Sequence, residues 1–195
     1  MAWISEDRRQ ALVRDGKPLL TDDMKKTLEE KYFPRYPTKR AVLLPALHLV
    51  QHEYNWIPPQ AIEEIAQFLE IAPAEALDTA SFYEEYWLKP KGKYLLQVCR
   101  SLTCEICGSE KLREHLQSRL NIDVGETTPD KRFTLVELEC LGACGSAPVM
   151  LVNEVLYENI ASTDQLDQIL DRLPDDPHDF KDPNITWEQD GSHSG

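Results

Sequence analysis

The sequence predicts a mixed α+β (α/β) protein in two parts, a small helical bundle over residues 21–90 followed by an α/β layer over 91–174. Three observations predict it. Apolar residues recur at helical spacing until about residue 85, the period switches to strand-like alternation after Pro90 and Gly92, and two runs of cysteine begin where two of those strands end. The 195 residues suffice for one or two domains of roughly 100–200 residues each, enough to bury a core.

Residues 1–20 are polar and without clear periodicity, which predicts a flexible arm. Thr21 suits the N-cap of a first helix carrying Met24, Leu28 and Tyr32 four residues apart, and Pro34 and Pro37 end it. A second apolar run, 41–50, puts Val42, Leu43, Ala46, Leu47 and Val50 on one helix face. Pro45 inside it removes a backbone donor and is expected to bend or restart the helix. Pro58 and Pro59 fit the first turn of a third helix that buries Ile62, Ile65, Ala66 and Leu69. Pro73 opens a short fourth helix to about Leu77, leading into the aromatic segment 81–87.

Beyond Gly92, Tyr94, Leu96 and Val98 alternate along a strand that ends at Cys99. Gly108 and Ser109 precede a helix with Leu112, Leu116 and Leu120 at i, i+4 and i+8. After a polar loop through Gly125 and Pro129, residues 133–139 form a second strand ending at Cys140, and 149–152 and 155–157 form two more around a turn at Asn153 and Glu154. A last helix, capped by Ser162 or Thr163, turns Leu166, Ile169, Leu170 and Leu173 inward. Strand, helix, strand, strand, strand, helix is the order of a thioredoxin-like α/β layer. From Pro174 the chain is acidic, contains proline and is almost free of aliphatics, so 175–195 is expected to be a disordered acidic tail.

With 34 acidic against 21 basic side chains the net charge is −13, and no cluster of Lys and Arg stands out. That sign repels phosphate backbones and acidic lipid headgroups alike, which argues against nucleic acid or a lipid surface as direct partner. Apolar stretches such as 41–44 and 47–50 fall far short of the ~18 residues that signal a membrane span. The opening sequence MAWISEDRRQALVRDGK has no apolar h-region and carries Glu6 and Asp7 early, wrong for a transit peptide. The chain is therefore expected to stay in the cytosol and to meet a membrane only through other proteins.

The five cysteines sit in CRSLTCEIC (Cys99, Cys104, Cys107) and ECLGACGSAP (Cys140, Cys144). An odd number of thiols in a reducing compartment, clustered in two short segments, argues for metal ligation or redox chemistry over a disulfide frame. If the helix between the Cys99 and Cys140 strands makes the usual right-handed crossover, the strands run parallel and their cysteine-bearing ends share one sheet edge. Four thiolates from two converging loops can hold a binuclear iron–sulfur cluster, two on each iron. Gly142 and Gly145 suit tight loops that approach such a cluster closely. Spacing alone leaves two ligand sets open, because Cys99, Cys104 and Cys107 with one distant cysteine also match a plant-type ferredoxin. Pairing Cys99 with Cys104 and Cys140 with Cys144 takes two ligands from each loop and leaves Cys107 spare. A four-cysteine zinc site is the main rival, although zinc favours two short C-x-x-C knuckles and only Cys104–Cys107 has that form. A thioredoxin-type dithiol at the same pair leaves three thiols unexplained.

Other signals are weaker. His48 and His52 share a helix face at i, i+4 but lack a third ligand of convincing spacing, so ordinary structural histidines are expected. Phe82, Tyr83, Tyr86 and Trp87 form either a partner surface or, as expected here, core packing. The chain contains no G-x-G-x-x-G, P-loop or G-x-S-x-G, hence no phosphate cradle or serine nucleophile of its own and no catalytic residue to name.

Longer strings carry a resemblance. CRSLTC with ECLGACGSAPVMLVN, preceded by YPTKRAVLLPALHLVQHEYNWIPPQAIEEIAQFL, with GETTPD and FTLVELE between and YENIASTDQLDQIL after, closely resemble the small iron–sulfur subunit of NADH:quinone oxidoreductase, respiratory complex I, over about Lys31 to Leu173. The resemblance implies an N-terminal helical bundle, a thioredoxin-like domain with one [2Fe-2S] cluster, and ligands at Cys99, Cys104, Cys140 and Cys144, with Cys107 outside the set. It further implies an FMN- and NADH-binding flavoprotein subunit as partner, exchanging an electron with the cluster, a neighbouring iron–sulfur subunit, and a bacterial cytoplasmic location peripheral to the inner membrane. Homologous modules in soluble NAD-dependent hydrogenases and formate dehydrogenases, and a stand-alone thioredoxin-like ferredoxin, are the alternatives.

Overall fold

Thr21 opens the first helix, α1 (Asp22–Thr27), by accepting a 3.2 Å hydrogen bond from the Met24 amide on its Oγ1. The computed structural model describes residues 16–175, so most of the arm and all but the first residue of the tail expected from the sequence lie outside the described residues. The chain divides into two compact units that part between Pro90 and Lys91.

In the first unit the helix continues from α1 through a π turn (Leu28–Tyr32) and a 3-10 turn (Phe33–Arg35), keeping Met24 and Leu28 buried. The apolar run around Pro45 does break, but upstream of the proline. Lys39–Val42 is a 3-10 turn and α2 (Leu43–Tyr54) begins after it, which leaves Pro45 in the first turn, where its missing N–H is not needed. Helix α3 (Pro59–Leu69) starts at its proline as predicted. Helix α4 (Pro73–Phe82) runs past the expected end at Leu77, because Ala80 joins Ala76 in the core one turn on. Leu20, Leu28, Leu47, Val50, Ile57, Ile65 and Leu69 form the centre of this unit's core.

Residues 17–20, expected in the loose arm, belong to the bundle instead. The Leu19 and Leu20 amides donate to Glu64 Oε2 at 2.8 and 2.7 Å, Gln60 Nε2 donates to the Lys17 carbonyl at 2.9 Å, and Leu20 is fully buried. A backbone strap held by side chains has no periodicity for the sequence to display.

The second unit is built on β1 (Tyr94–Cys99), β2 (Phe133–Leu138), β3 (Met150–Val152) and β4 (Val155–Tyr157), in the sheet order β2-β1-β3-β4. β1 pairs parallel with β2, and the β1–β3 and β3–β4 pairs are antiparallel. A short helix α5 (Leu102–Ile106), absent from the sequence reading, precedes α6 (Ser109–Leu120); α7 (Thr163–Asp171) follows the sheet and is capped by the Ser162 hydroxyl. Tyr94, Leu96, Leu135, Met150, Val152, Leu116, Leu166 and Leu170 make its core. Asn153, in the left-handed region at φ 53°, turns β3 into β4 and uses its Oδ1 to accept from the Leu95 amide at 2.8 Å. Among the described residues no helix is long and apolar enough to cross a membrane.

Two tests follow from this packing. At Gly92, whose amide bonds Thr134 Oγ1 at 2.6 Å, an added Cβ meets the Phe133 carbonyl carbon at 2.6 Å. Gly92→Ala is expected to lower stability by about 1–3 kcal/mol, read from thermal or urea unfolding. Between α6 and α7, Asp167 takes a 2.7 Å contact from His115 Nε2 and an ion pair from Arg119. These hydrogen bonds, His115 first, hold the Asp167 carboxyl below its ordinary 3.8. A carboxyl depressed on folding stabilises above its unfolded value and loses that contribution as pH falls through its folded value. Melting temperatures measured from neutral pH to below 3.8 should fall less steeply in Asp167→Asn than in the wild type.

Candidate metal centre

The parallel register pairs Cys99 with Leu138, so the loops that follow β1 and β2 leave the same edge of the sheet side by side. Cys99 is the last residue of β1; its amide donates to the Val149 carbonyl at 3.2 Å and its side chain is buried. Cys104 lies on α5, equally buried, with its sulfur in hydrogen-bond reach of Cys99. Burial above all, then the Cys99 thiol, push the Cys104 thiol up to about 11, against an opposing hydrogen bond with the Val149 backbone; the nearby Cys99 and Cys144 charges add to the rise.

The second loop supplies Cys140 and Cys144, both exposed, the latter opening a 3-10 turn (Cys144–Ser146). Gly142, at φ 75°, turns its amide onto Cys140 Sγ at 3.3 Å, a geometry in which a side chain is strained. Beneath the sulfurs lies a small apolar floor in which Val149 is buried with Cys99 and Cys104, and Leu141, Ala143, Ala147 and Leu156 pack around it. Cys107 is exposed at the C-terminal end of α5 and stands outside this floor. The residues flanking the cysteines meet as well. Arg100 Nε lies 3.0 Å from Glu139 Oε1, and this hydrogen bond holds the Glu139 carboxyl below the ordinary carboxylate range.

This donor set suits a binuclear iron–sulfur cluster: four sulfurs delivered as two pairs from two loops, an apolar floor, and a backbone amide already aimed at one sulfur. Among the described residues no three His, Cys, Asp or Glu side chains are grouped so as to hold a single metal ion, an arrangement that two thiolates on each of two irons do not require. His48 lies against the Tyr86 ring, with centroids 5.0 Å apart. The aromatic segment divides. Tyr86 is core, its hydroxyl donating to the Leu44 carbonyl at 3.1 Å and its pKa pushed up to about 12 chiefly by burial, whereas Phe82 is 79% exposed and contradicts the expected packing. Sequence reading missed α5, the Val149 floor and the Arg100–Glu139 pair. A five-residue helix has too few turns for a periodic signal, and the other two are contacts between distant positions.

The fold and its paired cysteines define a small α/β iron–sulfur protein, and the chain belongs to the thioredoxin-like [2Fe-2S] ferredoxin family, whose model matches residues 29–174. It is 43% identical over 151 residues to NADH-quinone oxidoreductase subunit 2 of Thermus thermophilus, covering 76% of this chain and 83% of that one. It is 42% identical over 137 residues to an NADH-quinone oxidoreductase subunit of Rhizobium meliloti, covering 70% and 81%. Among solved structures it resembles an NAD+-reducing [NiFe]-hydrogenase in the H2-reduced state, at a TM-score of 0.61 and 25% identity, covering 68% of this chain but only 22% of that one.

Proposed function

We propose that this chain is the [2Fe-2S] electron-transfer subunit of an NADH:quinone oxidoreductase. The observation that carries the reading is the convergence of two cysteine-bearing strand-end loops over an apolar floor, in a chain 43% identical to a subunit of that enzyme. Cys99 and Cys104 hold one iron, Cys140 and Cys144 the other, and Cys107 is not a ligand. When bound, such a cluster takes up and returns one electron. The chain's own part is to set that site. Val149, Leu141, Ala147 and Leu156 keep water from its inner side, and the Gly142 amide stabilises added negative charge on Cys140 Sγ. FMN and NADH bind on a partner flavoprotein subunit, a neighbouring iron–sulfur subunit takes electrons onward, and attachment to the membrane is indirect, through the complex. The likeness to a NAD+-reducing hydrogenase supports a second reading, a diaphorase subunit in a soluble enzyme.

Iron and sulfide assays with EPR on anaerobically purified protein test the site. Two irons and two sulfides per chain, with an S = 1/2 signal after dithionite, are expected on the binuclear reading. Alanine at Cys99, Cys104, Cys140 or Cys144 is expected to abolish or destabilise the cluster, and Cys107→Ala to retain it; one zinc in a colourless protein overturns the reading. The isolated chain is expected not to oxidise NADH, whereas turnover without added flavoprotein contradicts the placement of FMN on a partner. Pull-down from the native host distinguishes the two readings by whether quinone-reductase or hydrogenase subunits accompany the flavoprotein.

A further inference from the structure

Backbone pairing between β1 and β2 ends with the Arg100 amide on the Leu138 carbonyl at 2.9 Å. Past that bond the two cysteine loops are joined through side chains. Arg100 places Nε at 3.0 Å and Nη2 at 2.5 Å from the same Glu139 Oε1, and Nη1 at 4.0 Å from Glu137 Oε2. Glu137 in turn accepts from Arg113 Nη1 at 3.2 Å, so the ladder is anchored on α6. Arg100 is the residue after Cys99 and Glu139 the residue before Cys140. Each charged residue is therefore the sequence neighbour of a cysteine, Arg100 on the first loop and Glu139 on the second.

We propose that Arg100 and Glu139 form a charged latch across the mouths of the two loops, which holds their cysteines at cluster spacing and sets the potential at which the cluster is reduced. The proposal rests on the iron–sulfur reading above. Surface ion pairs contribute little to global stability, so the latch acts at the site and not on the fold. Reduction adds negative charge to the cluster, which a neighbouring guanidinium favours and a neighbouring carboxylate opposes. The two residues are positioning and tuning groups; neither touches iron.

The test uses the full chain, reconstituted anaerobically with iron and sulfide, as wild type, Arg100→Gln, Glu139→Gln and the exchanged pair Arg100→Glu with Glu139→Arg. Cluster bleaching by an iron chelator, the midpoint potential by EPR titration and the melting temperature are measured for each. Both single variants are expected to bleach several-fold faster, and the exchanged pair to recover part of that loss, since a carboxylate at position 100 also faces Glu137. The potential is expected to fall in Arg100→Gln and to rise in Glu139→Gln, with melting temperatures near wild type. Equal bleaching in all four proteins, potentials shifted in the same direction, or faster bleaching that the exchanged pair fails to recover overturns the proposal alone. A wild-type chain that takes up no iron and sulfide overturns the iron–sulfur reading itself and the latch with it.

Discussion

The parallel alignment of β1 with β2 is the constraint on which the second unit depends. Parallel strands cannot be joined by a tight turn, so a crossover must lie between them, and here it contains α5 and α6. Parallel strands also end at the same edge. Any side chain placed just past the last hydrogen bond of each is brought next to its counterpart without further design. The chain uses that edge for its cysteines and for the charged residues beside them, and Val149, the residue before β3, accepts the Cys99 amide on the other side and supplies the floor.

Much of this was legible because it is periodic or covalent. Thr21 and Ser162 announce their helices as caps, Pro59 marks the start of α3, and the alternation of Tyr94, Leu96 and Val98 marks β1. The cysteines stand out through their crowding into two segments. What stayed hidden is what depends on contacts between distant positions. The Leu19 and Leu20 amides bind Glu64 more than forty residues on, a pairing no local window contains. Phe82 looked like core because its neighbours are aromatic, yet it lies two residues past Ala80 on α4, on the opposite side of the helix and in solvent; Tyr83 is exposed as well, while Tyr86 is buried and Trp87 half-buried. The Arg100–Glu139 pair is visible only once the register of two strands is known.

The N-terminal unit shows how local rules yield to context. Pro45 reads as a break in an apolar helix, but the polypeptide absorbs it by starting α2 two residues earlier, so the missing donor falls where helices have donors to spare. After α1 the helix changes pitch in steps, through a π turn that begins at buried Leu28 and a 3-10 turn that takes in Pro34, before the backbone becomes extended at Tyr36. In both places a short irregular turn stands next to a proline while the neighbouring apolar residues, Leu28, Val42 and Leu43, are buried.

The unequal burial of the cysteines gives the site a direction. Cys99 at the end of β1 and Cys104 on α5 are buried against Val149, while Cys140 and Cys144 are exposed on the loop after β2. One half is wall and the other is door. Of the four sulfurs, those at 140 and 144 are the ones open to solvent in this chain, so a chelator or an oxidant is expected to reach them before it reaches Cys99 and Cys104.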